Sequence, residues 1–170
     1  MKNYTFLLFG LCILGSNFMT EAQENPEWEN LDIVSVNTEK PHATFHVFNI
    51  EKEAQKGDFV NSGNYKSLNG TWQFHFSETP DARPTDFYKT DYDTSEWDSI
   101  AVPADWQMQG YDFPLYTNIE YPFPINPPFV DNSYNPVGSY KRTFSVAKNW
   151  QNKEVFLHFG GVNSAFYVWI

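Results

Sequence analysis

Carboxylate and imidazole side chains are the first candidates for chemistry in this sequence. Of its 21 acidic residues, 20 follow residue 23, yet their spacing singles out no pair that would work as acid and base. Asp105, Asp112 and Glu120 share one proline-rich segment, where solvated loop charge is the plainer interpretation. His42 and His46 are four residues apart, but in a segment without helical periodicity, so no metal site is predicted. No nucleophilic triad and no phosphate-binding glycine loop is present.

Aromatic and amide side chains cluster in the same proline-rich segment. Aromatic rings stack on the apolar faces of sugar rings, and amides offer paired donors and acceptors to hydroxyl groups. The competing interpretation is packing, because bulky rings also anchor loops. The residue types leave both alternatives open for the set Trp106, Tyr111, Tyr116, Asn118, Tyr121 and Asn126.

The elements that position these residues are predicted to be strands. Residues 104–137 hold six of the 11 prolines, which excludes regular helix there. Apolar and polar residues alternate around this segment with the period of two that is typical of strands. Alternation is found at 72–76, at 100–102 before Pro103, at 140–146, at 155–159 and at 165–170. The predicted fold class is all-β, most simply a sandwich.

Composition narrows the class of protein. With 170 residues the chain has room for one domain, or for one domain and a tail. Its net charge of −10 disfavours nucleic acid and anionic membrane surfaces as partners. An aromatic content of 19% excludes a disordered acidic segment. A single cysteine excludes an intrachain disulfide and a cysteine-based zinc site.

The first 23 residues have the pattern of an export signal. Lys2 precedes the apolar run Phe6–Leu14, and Ala22 suits a cleavage point. The run is too short to span a bilayer, which takes about 20 residues. We therefore expect a periplasmic or secreted protein with no membrane span after cleavage.

The rest of the chain divides into two expected regions. Residues 24–64 are interpreted as an extended N-terminal arm with aromatic anchors, or alternatively as a poorly ordered linker. Residues 65–170 are expected to form a β-sandwich domain. Because the sequence ends at Ile170 inside a predicted strand, we expect this domain to be incomplete at its C-terminus.

Several motifs in consecutive order resemble one enzyme family. They are Trp28-Glu29-Asn30, SLNGTW at 67–72, VPADWQMQGYD at 102–112, PLYTNIEYP at 114–122, NPPFV at 126–130, NPVGSY at 135–140 and GVNSAF at 161–166. Together they resemble the large bacterial β-galactosidases of glycoside hydrolase family two. The similarity runs over about residues 28–170 and so covers nearly all of the chain beyond the signal.

The resemblance implies a fold and an activity. The fold is the jelly-roll, galactose-binding-like β-sandwich called the sugar-binding domain in this family. The activity is retaining hydrolysis of terminal non-reducing β-D-galactose by two glutamates in a barrel domain. No motif for those glutamates occurs here, so this chain alone is expected to be inactive. The alternatives are a stand-alone carbohydrate-binding module without hydrolase activity, and a fragment that complements a partner chain lacking this region.

The resemblance also carries site residues. The asparagine of the YTN motif is Asn118, which would hydrogen-bond the β-galactoside in the cleavage subsite, and Ile119 would line the same wall. Family ligands for the active-site Mg²⁺ and Na⁺ lie outside this sequence. A second, structural Mg²⁺ is bound in some members near the WEN motif, which makes Glu27, Asn30 and the Ile33 carbonyl weak metal candidates. The resemblance is also compatible with a homo-oligomer of the complete enzyme.

Overall fold

The computed structural model describes residues 26–114, residue 118 and residues 123–170. The predicted export signal at 1–23 and the site residue Ile119 lie outside the described residues. Within the described ranges the largest regular element is one antiparallel sheet, and the single α-helix has six residues. No helix in this part of the chain has both the length and the apolar character needed to cross a membrane.

The sheet has three strands in the order β2-β1-β3. These are β1 (Gly70–Ser77), β2 (Asp98–Val102) and β3 (Val137–Lys141). Both outer strands run antiparallel to β1, with Trp72 opposite Ile100 and Phe74 opposite Tyr140. Strand β2 ends before Pro103, as the sequence predicts, because proline has no N–H to donate to the ladder.

The period-two pattern of β1 gives the sheet two different faces. Phe74 is fully buried on one face, where Tyr140 of β3 lies 4.7 Å away between ring centroids. Ile100 of β2 is the other fully buried large side chain of the described residues. On the opposite face Gln73 accepts a hydrogen bond of 2.7 Å from the hydroxyl of Thr94. The aromatic alternation therefore selects the core face, as predicted.

The segment between β1 and β2 covers the polar face. Its 3₁₀ turn at Pro80–Ala82 begins under a Thr79 cap, whose hydroxyl accepts the N–H of Ala82. The ring of Trp97 packs 5.6 Å from His75 of β1, between ring centroids. Lys141 of β3 donates to the Lys89 carbonyl at 2.9 Å, which fastens this segment to the far edge of the sheet.

The N-terminal region contains two short helical elements. A 3₁₀ turn spans Glu27–Glu29, and helix α1 spans Glu51–Lys56. The helix ends at Gly57, whose φ of 69° is a left-handed conformation that glycine adopts without a steric penalty. Sequence periodicity gave no sign of this helix, because one and a half turns are too few for a 3.6-residue repeat to show.

The C-terminal third differs from the strand prediction. The strand expected at 140–146 begins and ends earlier, as Val137–Lys141, and residues 155–159 and 165–170 form no strand. Lys148–Trp150 form a 3₁₀ turn, and all of 151–170 is exposed. Alternation sorts side chains onto two faces, but a strand also needs a neighbouring backbone to bond. The described fold is thus a β domain with one open sheet, and a second sandwich layer is not observed.

Candidate functional site

The candidate site residue Asn118 belongs to a long connection that we call the crossing loop, residues 103–136. Val102 at the end of β2 pairs with Gly70, whereas Val137 at the start of β3 pairs with Ser77. The loop therefore has to travel back along the whole of β1, about 24 Å at the usual rise of a strand. Its path explains why its first residues lie against the sheet.

Trp106 and Tyr111 pack the crossing loop onto the aromatic face of β1. Trp106 lies 6.2 Å from Phe74 and 6.0 Å from Phe76, and Tyr111 lies 4.7 Å from Phe74, between ring centroids. A side chain at Gly138 would collide with this arrangement, because its Cβ would lie 2.5 Å from the Trp106 ring. Of the two alternatives for these aromatics, packing is the one that the structure shows.

The polar groups of Tyr111 and Trp106 differ in whether they are paired. The Tyr111 hydroxyl donates to Asp98 at 3.0 Å, and burial, followed by this hydrogen bond, raises the pKa of Tyr111. Among the described residues, the indole N–H of Trp106 is buried without a partner. These contacts make Trp106 and Tyr111 a packed anchor for the crossing loop.

Gln109 joins the crossing loop to the outer edge of β2. Its amide oxygen accepts the N–H of Ala101 at 2.8 Å, and its amide nitrogen donates to the Ala101 carbonyl at 3.0 Å. One side chain thereby reproduces both hydrogen bonds that a further strand would make to this residue.

Three residues close the base of the crossing loop. The Tyr134 hydroxyl donates to Oδ1 of Asp112, and its ring stacks on Phe113 with centroids 6.1 Å apart and planes 12° from parallel. The hydrogen bond to Asp112, and then burial, raises the pKa of Tyr134 to about 12. Asp112 has a φ of 59°, a left-handed conformation that Asp tolerates better than most residues. We call Asp112, Phe113 and Tyr134 the loop clamp.

The returning half of the crossing loop has a second attachment, to the N-terminal region. Oε1 of Glu29 accepts the N–H of Val130 at 3.2 Å. Beside it, the Trp28 ring receives the guanidinium of Arg83 at 5.2 Å and the edge of Tyr167 at 6.1 Å. One 3₁₀ turn therefore contacts three segments that are distant in sequence.

The predicted substrate contact Asn118 is exposed and lies in a bend. Tyr116, Ile119, Glu120 and Tyr121 lie outside the described residues. Asn126 is exposed, so its amide is accessible to solvent. The structure thus leaves the Asn118 amide open to contact while fixing the loop on both sides of it.

The residues considered for metal binding have other contacts. Oδ1 of Asn30 accepts the N–H of Asp32 at 3.0 Å, and the N–H of Ile33 donates to the Asn30 carbonyl at 3.1 Å. Glu27 accepts the Tyr167 hydroxyl, which adds to the effect of burial in raising the pKa of Tyr167. In the described ranges no three His, Cys, Asp or Glu side chains come together as a ligand cluster.

Three of the four histidines contact aromatic rings. His46 stacks on Phe59 with ring centroids 3.6 Å apart, and His42 lies 5.0 Å from Phe45. His75 shares a hydrogen bond of 3.2 Å with Ser77. His158 is exposed in the C-terminal segment.

Sequence reasoning missed three residues that shape this site. Gln109 and Gly138 stood within recognised motifs, but nothing in their spacing indicated an edge contact or a steric requirement. Tyr134 lies 22 positions from Asp112. Asp112 itself was interpreted as solvated charge, whereas it is the acceptor of the loop clamp. No local pattern encodes a contact at that separation.

Comparison with known proteins identifies relatives of this chain. The profile described as "Glycosyl hydrolases family 2, sugar binding domain" matches residues 65–170. A beta-galactosidase from Priestia megaterium is 45% identical over 163 residues, which cover 92% of this chain and 16% of that protein. A beta-galactosidase from Vibrio cholerae is 41% identical over 143 residues, covering 84% and 14%.

A third relative has similar identity and coverage. The beta-galactosidase of Psychromonas ingrahamii is 40% identical over 146 residues, again 84% of this chain and 14% of the relative. The chain therefore spans about a sixth of the length of the relatives that it matches.

Proposed function

This chain belongs to glycosyl hydrolase family 2 through its sugar-binding domain, and from that premise we propose that it is the N-terminal part of a retaining β-galactosidase. The observation that carries the proposal is 45% identity to a beta-galactosidase over 92% of the chain. The substrate is a β-galactoside, from which the complete enzyme releases the terminal non-reducing galactose. The two catalytic glutamates belong to another region of the enzyme, so this part supports catalysis and does not perform it.

The role of this part is to present one amide to the substrate. The Asn118 side chain has one acceptor and two donor positions, which matches a sugar hydroxyl that both gives and receives hydrogen bonds. Ile119 adds an apolar wall beside it. Exposure of Asn118, and attachment of the loop on both sides of it, support this role. A preorganised amide lowers the cost of ordering the site when substrate binds.

The proposal extends to the fold of the complete domain. We propose that the three-stranded sheet is one layer of a jelly-roll sandwich, and that residues 155–159 and 165–170 contribute strands to it. The alternating apolar pattern of both segments and the family match over 65–170 support this. The expected benefit is burial of side chains such as Phe156 and Trp169, which are 65% and 51% exposed here.

Ions form part of the same proposal. The catalytic Mg²⁺ and Na⁺ of the enzyme are bound by residues outside this sequence. The donor chemistry of Glu27, Asn30 and the Ile33 carbonyl fits a structural Mg²⁺, because all three offer hard oxygen ligands. The amide oxygen of Asn30 has a second lone pair beside the one that Asp32 occupies. A cation there would supply a positive charge that binds the N-terminal turn to its surroundings.

Export is also proposed, on the pattern of residues 1–23. A charged start, an apolar run of signal length and a small residue at 22 support it. The substrate would then be a galactoside outside the inner membrane. A homo-oligomer of the complete enzyme is compatible with this location.

Asn118→Ala in the complete enzyme tests the proposed function. We expect kcat/KM for a β-galactoside to fall by a factor equivalent to about 1–3 kcal/mol, with the unfolding midpoint unchanged. Asn132→Ala is the matched control, since Asn132 is an exposed asparagine of the same loop. Unchanged kinetics for Asn118→Ala would remove this residue from the site. Absence of β-galactoside hydrolysis by the complete enzyme would overturn the function itself.

A further inference from the structure

The loop clamp joins the two halves of the crossing loop just outside the segment that contains Asn118. Tyr111, one residue before the clamp, is held on the sheet by Phe74 and Asp98. At Asp112 the backbone turns through a left-handed conformation. Among the described contacts on the way to Asn118, which lies five residues beyond Phe113, the clamp is the last.

Two interactions of different kind meet in one tyrosine. The hydroxyl of Tyr134 binds the Asp112 carboxylate, and its ring lies nearly parallel to Phe113. A hydrogen bond to a charged acceptor is stronger than a neutral one and fixes a distance. A stacked ring fixes an orientation. Because the hydrogen bond and the ring contact involve the consecutive residues Asp112 and Phe113, together they restrict both the position and the orientation of the outgoing half of the loop relative to Tyr134.

The Tyr134 hydroxyl is a donor at neutral pH, because a tyrosine of ordinary pKa, about 10, is already protonated there. The hydrogen bond to Asp112 raises the pKa of Tyr134 further, to about 12. The Tyr134 hydroxyl supplies a single hydrogen bond, whose net contribution to stability is small, so its removal should change the unfolding midpoint little. The reaction rate, by contrast, depends steeply on the position of a substrate-orienting group, since a displacement of about 1 Å can lower the rate about a hundredfold.

We propose that Tyr134 is a positioning residue that acts on the galactoside through Asn118. The hydroxyl on Asp112 and the ring on Phe113 set where the outgoing half of the loop starts. Four residues of sequence separate Phe113 from Asn118. Tyr134 itself makes no contact with the substrate in this proposal, which rests on the proposed function of Asn118.

A double-mutant cycle in the complete enzyme tests the inference. Tyr134→Phe keeps the ring and removes the hydroxyl. We expect it to lower kcat/KM for a β-galactoside about tenfold, with an unfolding midpoint close to that of the parent. In an Asn118→Ala background the same substitution should change kcat/KM by less than about twofold, because the residue through which it acts is gone. Tyr88→Phe is the control, since Tyr88 is an exposed tyrosine outside the crossing loop.

A second pair of variants separates the hydrogen bond from the general integrity of the loop. Asp112→Asn retains an oxygen acceptor for the Tyr134 hydroxyl and should preserve most of kcat/KM. Asp112→Gly removes the acceptor, can still adopt the left-handed conformation and should lose as much as Tyr134→Phe. If Tyr134→Phe does not fold, the two Asp112 variants still test whether this hydrogen bond affects kcat/KM.

The outcomes distinguish the two proposals. If Asn118→Ala lowers kcat/KM but Tyr134→Phe does not, the positioning role is wrong and the function stands. Equal losses from Tyr134→Phe in both backgrounds would also overturn the positioning role. If Asn118→Ala has no effect, the proposed role of Asn118 fails, and the positioning role fails with it.

Discussion

The three-stranded sheet and the crossing loop contain similar aromatic residues but are held by different forces. Strand β1 bonds to both neighbours along its backbone, and its own Phe74 side chain is completely buried. The crossing loop is held mainly by hydrogen bonds that involve side chains, at Gln109, Tyr111, Val130 and Tyr134, and by one backbone hydrogen bond from Asn135 to the Glu78 carbonyl. The sheet thus depends on many equivalent backbone hydrogen bonds and on the packed core around Phe74, whereas the loop depends on a few individual hydrogen bonds.

This difference predicts which property a mutation changes. In the sheet, a change of volume at the core is expected to lower stability, because close-packed interiors adjust only partly. In the loop, removal of the Tyr134 hydroxyl is expected to leave the free energy of unfolding almost unchanged and to displace Asn118. The following variants test this division between stability and geometry, beginning with the largest effect.

Phe74→Ala should have the largest effect on stability. It removes a fully buried ring from contact with Tyr111 and Tyr140. We expect a loss of about 3–5 kcal/mol in the free energy of unfolding, measured by urea denaturation. Phe144→Ala is the control, because Phe144 is 43% exposed and should cost much less. Equal losses from both variants would contradict the assignment of the core to Phe74.

Gly138→Ala tests the point where the sheet and the loop meet. Its new Cβ would lie 2.5 Å from the Trp106 ring and 2.8 Å from that of Phe74, so the rings must shift. We expect a loss of about 1–3 kcal/mol in unfolding free energy, and a decrease in kcat/KM as the loop is displaced. Gly160→Ala is the matched control, since no atom lies within 4 Å of a Cβ there. A neutral Gly138→Ala variant would show that Trp106 does not rest on β3.

The smallest effect concerns the protonation of Tyr134. Its folded-state pKa of about 12 is higher than the value of about 10 expected for an unfolded chain. The folded protein therefore holds the proton more tightly, so the contribution of this group is complete below about pH 10 and is lost as the pH rises towards 12. Tyrosinate absorbance should show a group titrating near 12 that Tyr134→Phe removes. Titration of Tyr134 near 10 would show that its bond to Asp112 is weak in solution.

Sequence reasoning succeeded where the determinants are local. The alternation at Trp72, Phe74 and Phe76 predicted β1, and Pro103 predicted the end of β2; the structure confirms both. The family resemblance is likewise confirmed, because motifs are linear patterns. The roles of Trp106 and Tyr111 stayed open until the path of the loop along β1 decided for packing.

The failures concern contacts between distant residues. Residues 155–159 have the side-chain pattern of a strand, yet the pattern does not supply a partner backbone, and no strand forms there. The bond between Asp112 and Tyr134 and the double hydrogen bond of Gln109 arise only when the loop folds back on the sheet. Prediction of the candidate site therefore reached Asn118 by resemblance, but not the groups that hold its loop.

The amide of Gln109 has a consequence for how this protein avoids self-association. An outer strand with free N–H and C=O groups is a template onto which a second chain can add, and growth by such addition leads to aggregates. At Ala101 both groups are already occupied by Gln109. A foreign strand would have to displace this side chain before it could pair there. The same residue that fastens the loop therefore also occupies the hydrogen-bonding groups of the β2 edge at Ala101.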